Sequence, residues 1–201
     1  VSAKSRALDA AFTQITDKAA EIQSRGIYGD ETMIAAAAEF STYFSDPDAV
    51  NMMLDTLANY SMGMENGVSE VDTATMVNYA TNLGKITGGA YDAMSEKGFV
   101  FSDVQRDIID GTATQAQIVA QLGAEYVDMS EDMQAAAAIT QVIDEYWAGL
   151  YETMSATPEG RIVQMLHTWG DMQEVIGGQL YPYVLLFVDT INANWPTIAS
   201  I

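Results

Sequence analysis

The stretch Asp46-Pro47-Asp48-Ala49-Val50-Asn51-Met52-Met53-Leu54-Asp55-Thr56-Leu57-Ala58-Asn59-Tyr60-Ser61-Met62 reads as a helix from end to end. Asp46 is an N-cap residue, whose carboxylate can accept from the free amide groups of a first turn. Pro47 follows at the first helical position, where a missing N–H costs nothing. Val50, Met53, Leu54, Leu57 and Tyr60 then recur every three or four residues and share one face. Gly63 and Asn66-Gly67 close the segment.

The same punctuation recurs on both sides. Residues 2–25 carry a stripe of Leu8, Phe12, Ile15, Ala19 and Ile22 that stops at Gly26. Asp30 is expected to cap a second helix over Glu31–Phe44, whose run Ala35-Ala36-Ala37-Ala38 favours helix and permits close approach of a neighbour. A fourth helix over about Asp72–Lys85 groups Met76, Tyr79, Ala80 and Leu83. Gly88-Gly89 separates it from a short helix ending near Lys97-Gly98. Phe99-Val100-Phe101 is strand-like but too short to build a sheet. Ser102-Asp103-Val104-Gln105 has the S-x-x-Q spacing of a capping box, and Thr112-Ala113-Thr114-Gln115 repeats it, with a helix from about Thr114 to Leu122 after it. Ser130-Glu131-Asp132 opens a longer helix expected to reach about Met154, and Thr157-Pro158-Glu159 restarts the chain. Residues 157–176 carry Ile162, Val163, Leu166, Trp169 and Met172. The expected fold is all-α: a compact bundle of short helices over 1–129, then a longer helical hairpin over 130–201 leading into an apolar segment.

Composition limits the chemistry. The 201 residues hold 28 Asp and Glu against 8 Lys and Arg, a net charge of −20, with 49% hydrophobic residues. That apolar fraction supports a real core and argues against disorder. A surface so acidic repels nucleic-acid phosphates and anionic membranes alike. The most apolar run, Leu180–Ile191, falls short of the ~20 residues a membrane span needs. Cysteine is absent, which excludes disulfides and thiolate nucleophiles. The sequence starts at Val1, not at an initiator Met, and is expected to be an internal segment of a longer polypeptide.

Candidate sites are few. His167 is the only histidine; Asp171 lies one turn on, but no second imidazole or thiol completes a zinc site. The acidic pairs Asp107/Asp110, Asp128/Asp132 and Asp144/Glu145 are what so acidic a chain produces by chance, and Asp46-Pro47-Asp48 lacks the central Gly and terminal Glu of a calcium loop. Gly26-Ile27-Tyr28-Gly29 and Gly88-Gly89 lack the Lys and Ser/Thr of a phosphate cradle. The expectation is therefore no catalytic, cofactor or metal residues. The 12 Met residues are expected mostly in the core. The one partner-facing surface expected is the C-terminal stretch, where Tyr181, Tyr183, Val184, Leu186, Phe187 and Ile191 exceed what a lone hairpin can bury.

Three segments carry a resemblance: Arg25-Gly26-Ile27-Tyr28-Gly29-Asp30-Glu31, Gly149-Leu150-Tyr151-Glu152-Thr153-Met154-Ser155 and Gly178-Gln179-Leu180-Tyr181-Pro182. In order and in character they resemble segments of tail tape measure proteins of long-tailed bacteriophages and prophages of Gram-positive gut bacteria. The similarity extends over 72–85 and 97–123. It implies a structural, cofactor-free protein that sets tail length, occupies the tail tube during assembly and leaves ahead of the DNA. The implied partners are tail tube and tail assembly proteins, the rest of the same polypeptide and further copies in one tail. The implied locations are the virion tail and, during assembly, the host cytoplasm. An acidic occupant of a DNA conduit would not adhere to the genome behind it. The alternative is a generic helical interaction module. A ruler should be extended, whereas short capped helices interrupted by glycine point to a folded module within such a protein.

Overall fold

A computed structural model describes residues 3–68, 71–168 and 170. The fold is all-α, and no strand occurs among the described residues. In chain order the helices are α1 (Ala3–Arg25), α2 (Asp30–Phe40), α3 (Pro47–Met64), α4 (Thr73–Gly84), α5 (Tyr91–Ser95), α6 (Asp103–Ile109), α7 (Gln115–Gln121), α8 (Glu131–Trp147) and α9 (Leu150–Ser155). Short 3₁₀ turns lie at Lys85–Gly88 and Ala124–Tyr126, and residues 158–168 are again helical. The chain divides into two compact units, 1–164 and 165–201. Of the second, the described residues 165–168 and 170 are helical.

α3 forms where the sequence places it. Asp46 is its N-cap and accepts from the Asp48 N–H, with Pro47 at the start. The expected stripe is buried, but so is much of the rest: Met53, Leu54, Leu57, Tyr60 and Met62 have no exposed surface, and Ala49, Thr56 and Ser61 are buried with them. α1, α2, α4, α8 and α9 all pack on α3.

The closest of these partners is α8. Its N-cap Ser130 donates to the Asp46 carboxylate at the head of α3. In return, Asp132 accepts from the Ser45 N–H at 2.6 Å, the Ser45 hydroxyl at 2.7 Å and the Asp46 N–H at 3.0 Å. Midway, the Thr56 and Thr140 hydroxyls bond at 2.6 Å. At the tail, the Trp147 ring lies over Gly63, where an added Cβ would stand 2.2 Å from Cδ2. Asp46–Ser130 and Thr56–Thr140 each span 84 positions, and Gly63–Trp147 spans the same (147 − 63 = 84). The two helices therefore run parallel and in register. Parallel helices bring two positive N-terminal dipole ends together, and Asp48, Glu131 and Asp132 in the first turns offset them.

Elsewhere the structure amends the local reading. The second helix is capped by Gly29, not by Asp30, whose side chain instead accepts from the next N–H, and it ends at Phe40. The first capping box forms at Ser102/Gln105 as expected. The second uses Thr114 with Gln117, two residues beyond the expected start, because Thr112 and Ala113 both donate their N–H to the Asp107 carbonyl and cannot yet enter a helix. Phe99 and Phe101 are buried while Val100 between them is exposed, so the strand-like alternation is real in a single extended connection. The stripe of α1 is buried only in its second half: Ala19 and Ile22 are fully covered, whereas Leu8 and Phe12 are 61% and 65% exposed.

The hairpin expected over 130–201 begins with α8, and α8 lies in the first unit, packed on α3 and α6. The helix expected to run unbroken to Met154 breaks at Ala148-Gly149. Gly149 adopts a left-handed conformation (φ +67°) that sends the chain in a new direction. The break lets Tyr151 reach α1. Its ring stacks on Tyr28 at 5.0 Å, and its hydroxyl accepts from the Tyr28 N–H at 3.0 Å and donates to the Ile22 carbonyl at 3.2 Å. Gly26 lies against the same ring, and a Cβ there would stand 1.8 Å from Cζ. Gly26→Ala is therefore expected to destabilise the chain by about 3 kcal/mol, through overlap and loss of buried hydrogen bonds. Gly88→Ala, where a Cβ meets nothing within 4 Å, should be close to neutral. Urea unfolding of both variants checks the contrast.

Candidate functional site

The expected partner-facing residues Tyr181, Tyr183, Val184, Leu186, Phe187 and Ile191 lie outside the described residues, as do Asp171, Met172 and the Gly178–Pro182 segment. His167 falls in the helical stretch 158–168. Among the described residues, no group of three or more His, Asp or Glu is arranged to hold a metal ion. No helix of the described residues is long and apolar enough to cross a membrane.

The methionines divide by position. Met53 and Met62 are fully buried, along with Met33 and Met76, and Met52, Met64, Met133 and Met154 pack against the core from its edge. Met129 and Met165 are 39% and 64% exposed.

Charged side chains mostly serve the helices. Arg25, at the end of α1, pairs with Asp55 on α3, with Glu152 on α9 at 2.7 Å and with Glu21 one turn back. Lys18 reaches Asp55 at 2.7 Å and Glu21 at 3.0 Å. Burial pulls the Arg25 pKa down, but Asp55, Glu152 and Glu21 outweigh it and hold it above its ordinary value. The Glu21 carboxyl is lowered, first by its hydrogen bond from Lys18. Asp72 caps α4 and is lowered by the N–H of Thr75. Asp110 accepts from the Tyr91 hydroxyl at 2.7 Å and Glu65 from that of Tyr79, and burial raises both phenols. Of the acidic pairs noted in the sequence, Asp107 accepts from the Gln117 amide at 3.1 Å and Asp132 caps the α3–α8 heads.

Asp144, on α8, departs from this pattern. No ion-pair partner or side-chain donor engages it among the described residues. Burial first, and the like charge of Asp55 second, raise its pKa above the ordinary 3.8. It lines a cavity of about 340 Å³ with Met52, Leu122, Tyr126, Ala137, Thr140 and Gln141. A second, smaller cavity of about 280 Å³ lies at the other end of α3, against Met62, Trp147, Leu150 and Met154. In the sequence Asp144 is one member of a commonplace acidic pair; only burial from α3 and the α7 terminus sets it apart from Glu145, which is exposed.

Comparison with family models, with curated proteins and with solved structures finds no match to this chain.

The raised pKa of Asp144 has a definite sign. Between 3.8 and its folded value the native chain binds more protons than the unfolded chain, so this group's contribution to stability falls as pH rises through that window. Asp144→Asn removes the dependence. Its melting temperature is expected to exceed that of the parent at pH 7, with the gap closing as pH falls to about 3. Paired thermal melts across this range check it.

Proposed function

We propose that this chain is a folded, non-catalytic segment of a phage tail tape measure protein, acting in tail assembly and the setting of tail length. The observation that carries the reading is where the resembling segments lie. Tyr28 and Tyr151 lie 123 positions apart and Arg25 and Glu152 127, yet Tyr28 stacks on Tyr151, Gly26 abuts the same ring and Arg25 pairs with Glu152. Two segments that resemble the same family in the same order thus form one contact, as parts of a shared folded unit would. The acidity of the chain, −20 in 201 residues, suits a protein that shares a conduit with DNA.

The segment acts as a compact module within the longer protein, not as an extended length of ruler. A second reading, a helical interaction module outside any tail, draws support from Leu8 and Phe12, whose exposure leaves half of α1 with an uncovered apolar face. That reading expects partner retention on the immobilised chain to be lost when both are changed to Ser.

In-frame deletion of residues 1–201 from the encoding gene, with tails measured by electron microscopy, tests the proposal. A continuous helix of this length would span roughly 300 Å. The compact-module reading expects either no tails or tails of normal length that fail to infect. Shortening by about 300 Å would mean that the segment serves as extended ruler. Normal tails with full infectivity would remove the proposal altogether.

A further inference from the structure

The cavity beside Asp144 sets apolar walls against a single unpaired carboxylate. Its walls are Met52 from α3, Leu122 at the end of α7, Tyr126 from the following turn and Ala137 on α8. Its polar lining is Thr140, Gln141 and Asp144. Two of these three are already committed. The Thr140 hydroxyl is paired with Thr56 at 2.6 Å. The Gln141 amide donates to the Gln121 carbonyl at 2.8 Å and accepts from the Gln121 side chain at 3.0 Å. That leaves the Asp144 carboxylate, with no cation of the described chain on it. Asp55, whose charge acts on it, has the same sign and is itself paired with Lys18 and Arg25. A partly buried carboxylate without a counter-charge is costly, and a cation supplies what is missing. A cation alone would leave the apolar walls unfilled, and an apolar molecule alone would leave the carboxylate unpaired.

We propose that this cavity binds a small amphipathic cation, a primary alkylammonium or alkylguanidinium group, with its chain on Met52, Leu122 and Ala137 and its charged head on Asp144. Tyr126 also lines the cavity, and an aromatic ring beside a bound cation can add a cation–π contact. At about 340 Å³ the cavity lies at the small end of ligand sites, sized for a short chain. The same chemistry is presented by a free amine and by a lysine side chain of another protein. The inference stands apart from the tail-assembly reading, because it concerns binding by the isolated chain and not tail morphology.

Titration of the 201-residue chain with n-pentylammonium chloride, followed by amide ¹H–¹⁵N shifts, tests it. The expected result is saturable shifts around Leu122, Tyr126 and 137–144, with binding by 1-pentanol or by ammonium chloride at least about tenfold weaker. Asp144→Asn should weaken n-pentylammonium binding by at least about tenfold, and Ala137→Leu, which fills the cavity, should weaken it by a similar factor. Equal binding of 1-pentanol, full affinity in Asp144→Asn, or full affinity in Ala137→Leu would each overturn the proposal. Thermal melts of both variants confirm that each is folded before it is titrated. The peptide N-acetyl-Gly-Lys-Gly-amide separates the two sources. Binding as tight as that of the amine supports a protein-borne lysine, binding of the amine alone supports a free small molecule, and binding of neither overturns the site.

Discussion

The burial of α3 on nearly every side is the constraint from which the rest of the fold follows. A helix whose Met53, Leu54, Leu57, Tyr60 and Met62 are all fully covered cannot stand at a surface, so neighbours must close around it. Apolar contact alone would leave open which neighbour goes where. Three polar side chains of α3 decide this, because a polar group drawn partly out of solvent is stabilised by a hydrogen-bonding or charged partner. Thr56 bonds to Thr140 and so selects α8. Asn59 accepts the Tyr151 N–H at 3.0 Å and selects α9. Asp55 takes Lys18 and Arg25 and selects α1. Three polar side chains on one buried helix thus specify three neighbours.

The parallel pairing of α3 with α8 has a second consequence. Their heads are joined by reciprocal capping between Ser45-Asp46 and Ser130-Asp132, and their tails by Trp147 over Gly63. Such a pair is fixed in register at both ends, so the groove beside it keeps a defined shape. Asp144 lies in that groove, and its lack of a partner stands out because most other acids described along the two helices are engaged. The large negative charge of the chain is therefore partly structural, spent on caps, tyrosine hydroxyls and the Arg25 network. The two segments Arg25–Glu31 and Gly149–Ser155 meet where α9 returns to the end of α1.

The local framework was legible in the sequence because capping is local chemistry. Asp46-Pro47, Ser102/Gln105 and Ser130 act on amides within three residues, and each appears at the head of the helix it announces. The break at Ala148-Gly149 was not legible. Residues 130–154 carry a continuous helical pattern, and a lone glycine is tolerated within a helix. What makes Gly149 turn is the gain from seating Tyr151 against Tyr28 and Ile22, more than 120 residues away. The depth of burial of α3 was likewise hidden: its stripe shows one buried face, whereas Ala49, Thr56 and Met62 outside that stripe become buried only when α8 and its other neighbours arrive. That Leu8 and Phe12 of the α1 stripe lie exposed was hidden too, since a periodic stripe records which face is apolar and not how far the neighbouring helices extend along it. Asp144 carries no local mark, because its environment is made by α3 and the end of α7 together.

Native-state hydrogen exchange on the intact chain, read by mass spectrometry, tests the dependence of the fold on α3 most directly. The account predicts that α3, α8 and residues 150–155 lose protection together, as one cooperative unit and the slowest in the chain, while the first half of α1 exchanges early. Exchange of α8 or of residues 150–155 well before α3 would contradict it, by showing that α3 holds its structure without the neighbours its polar side chains select.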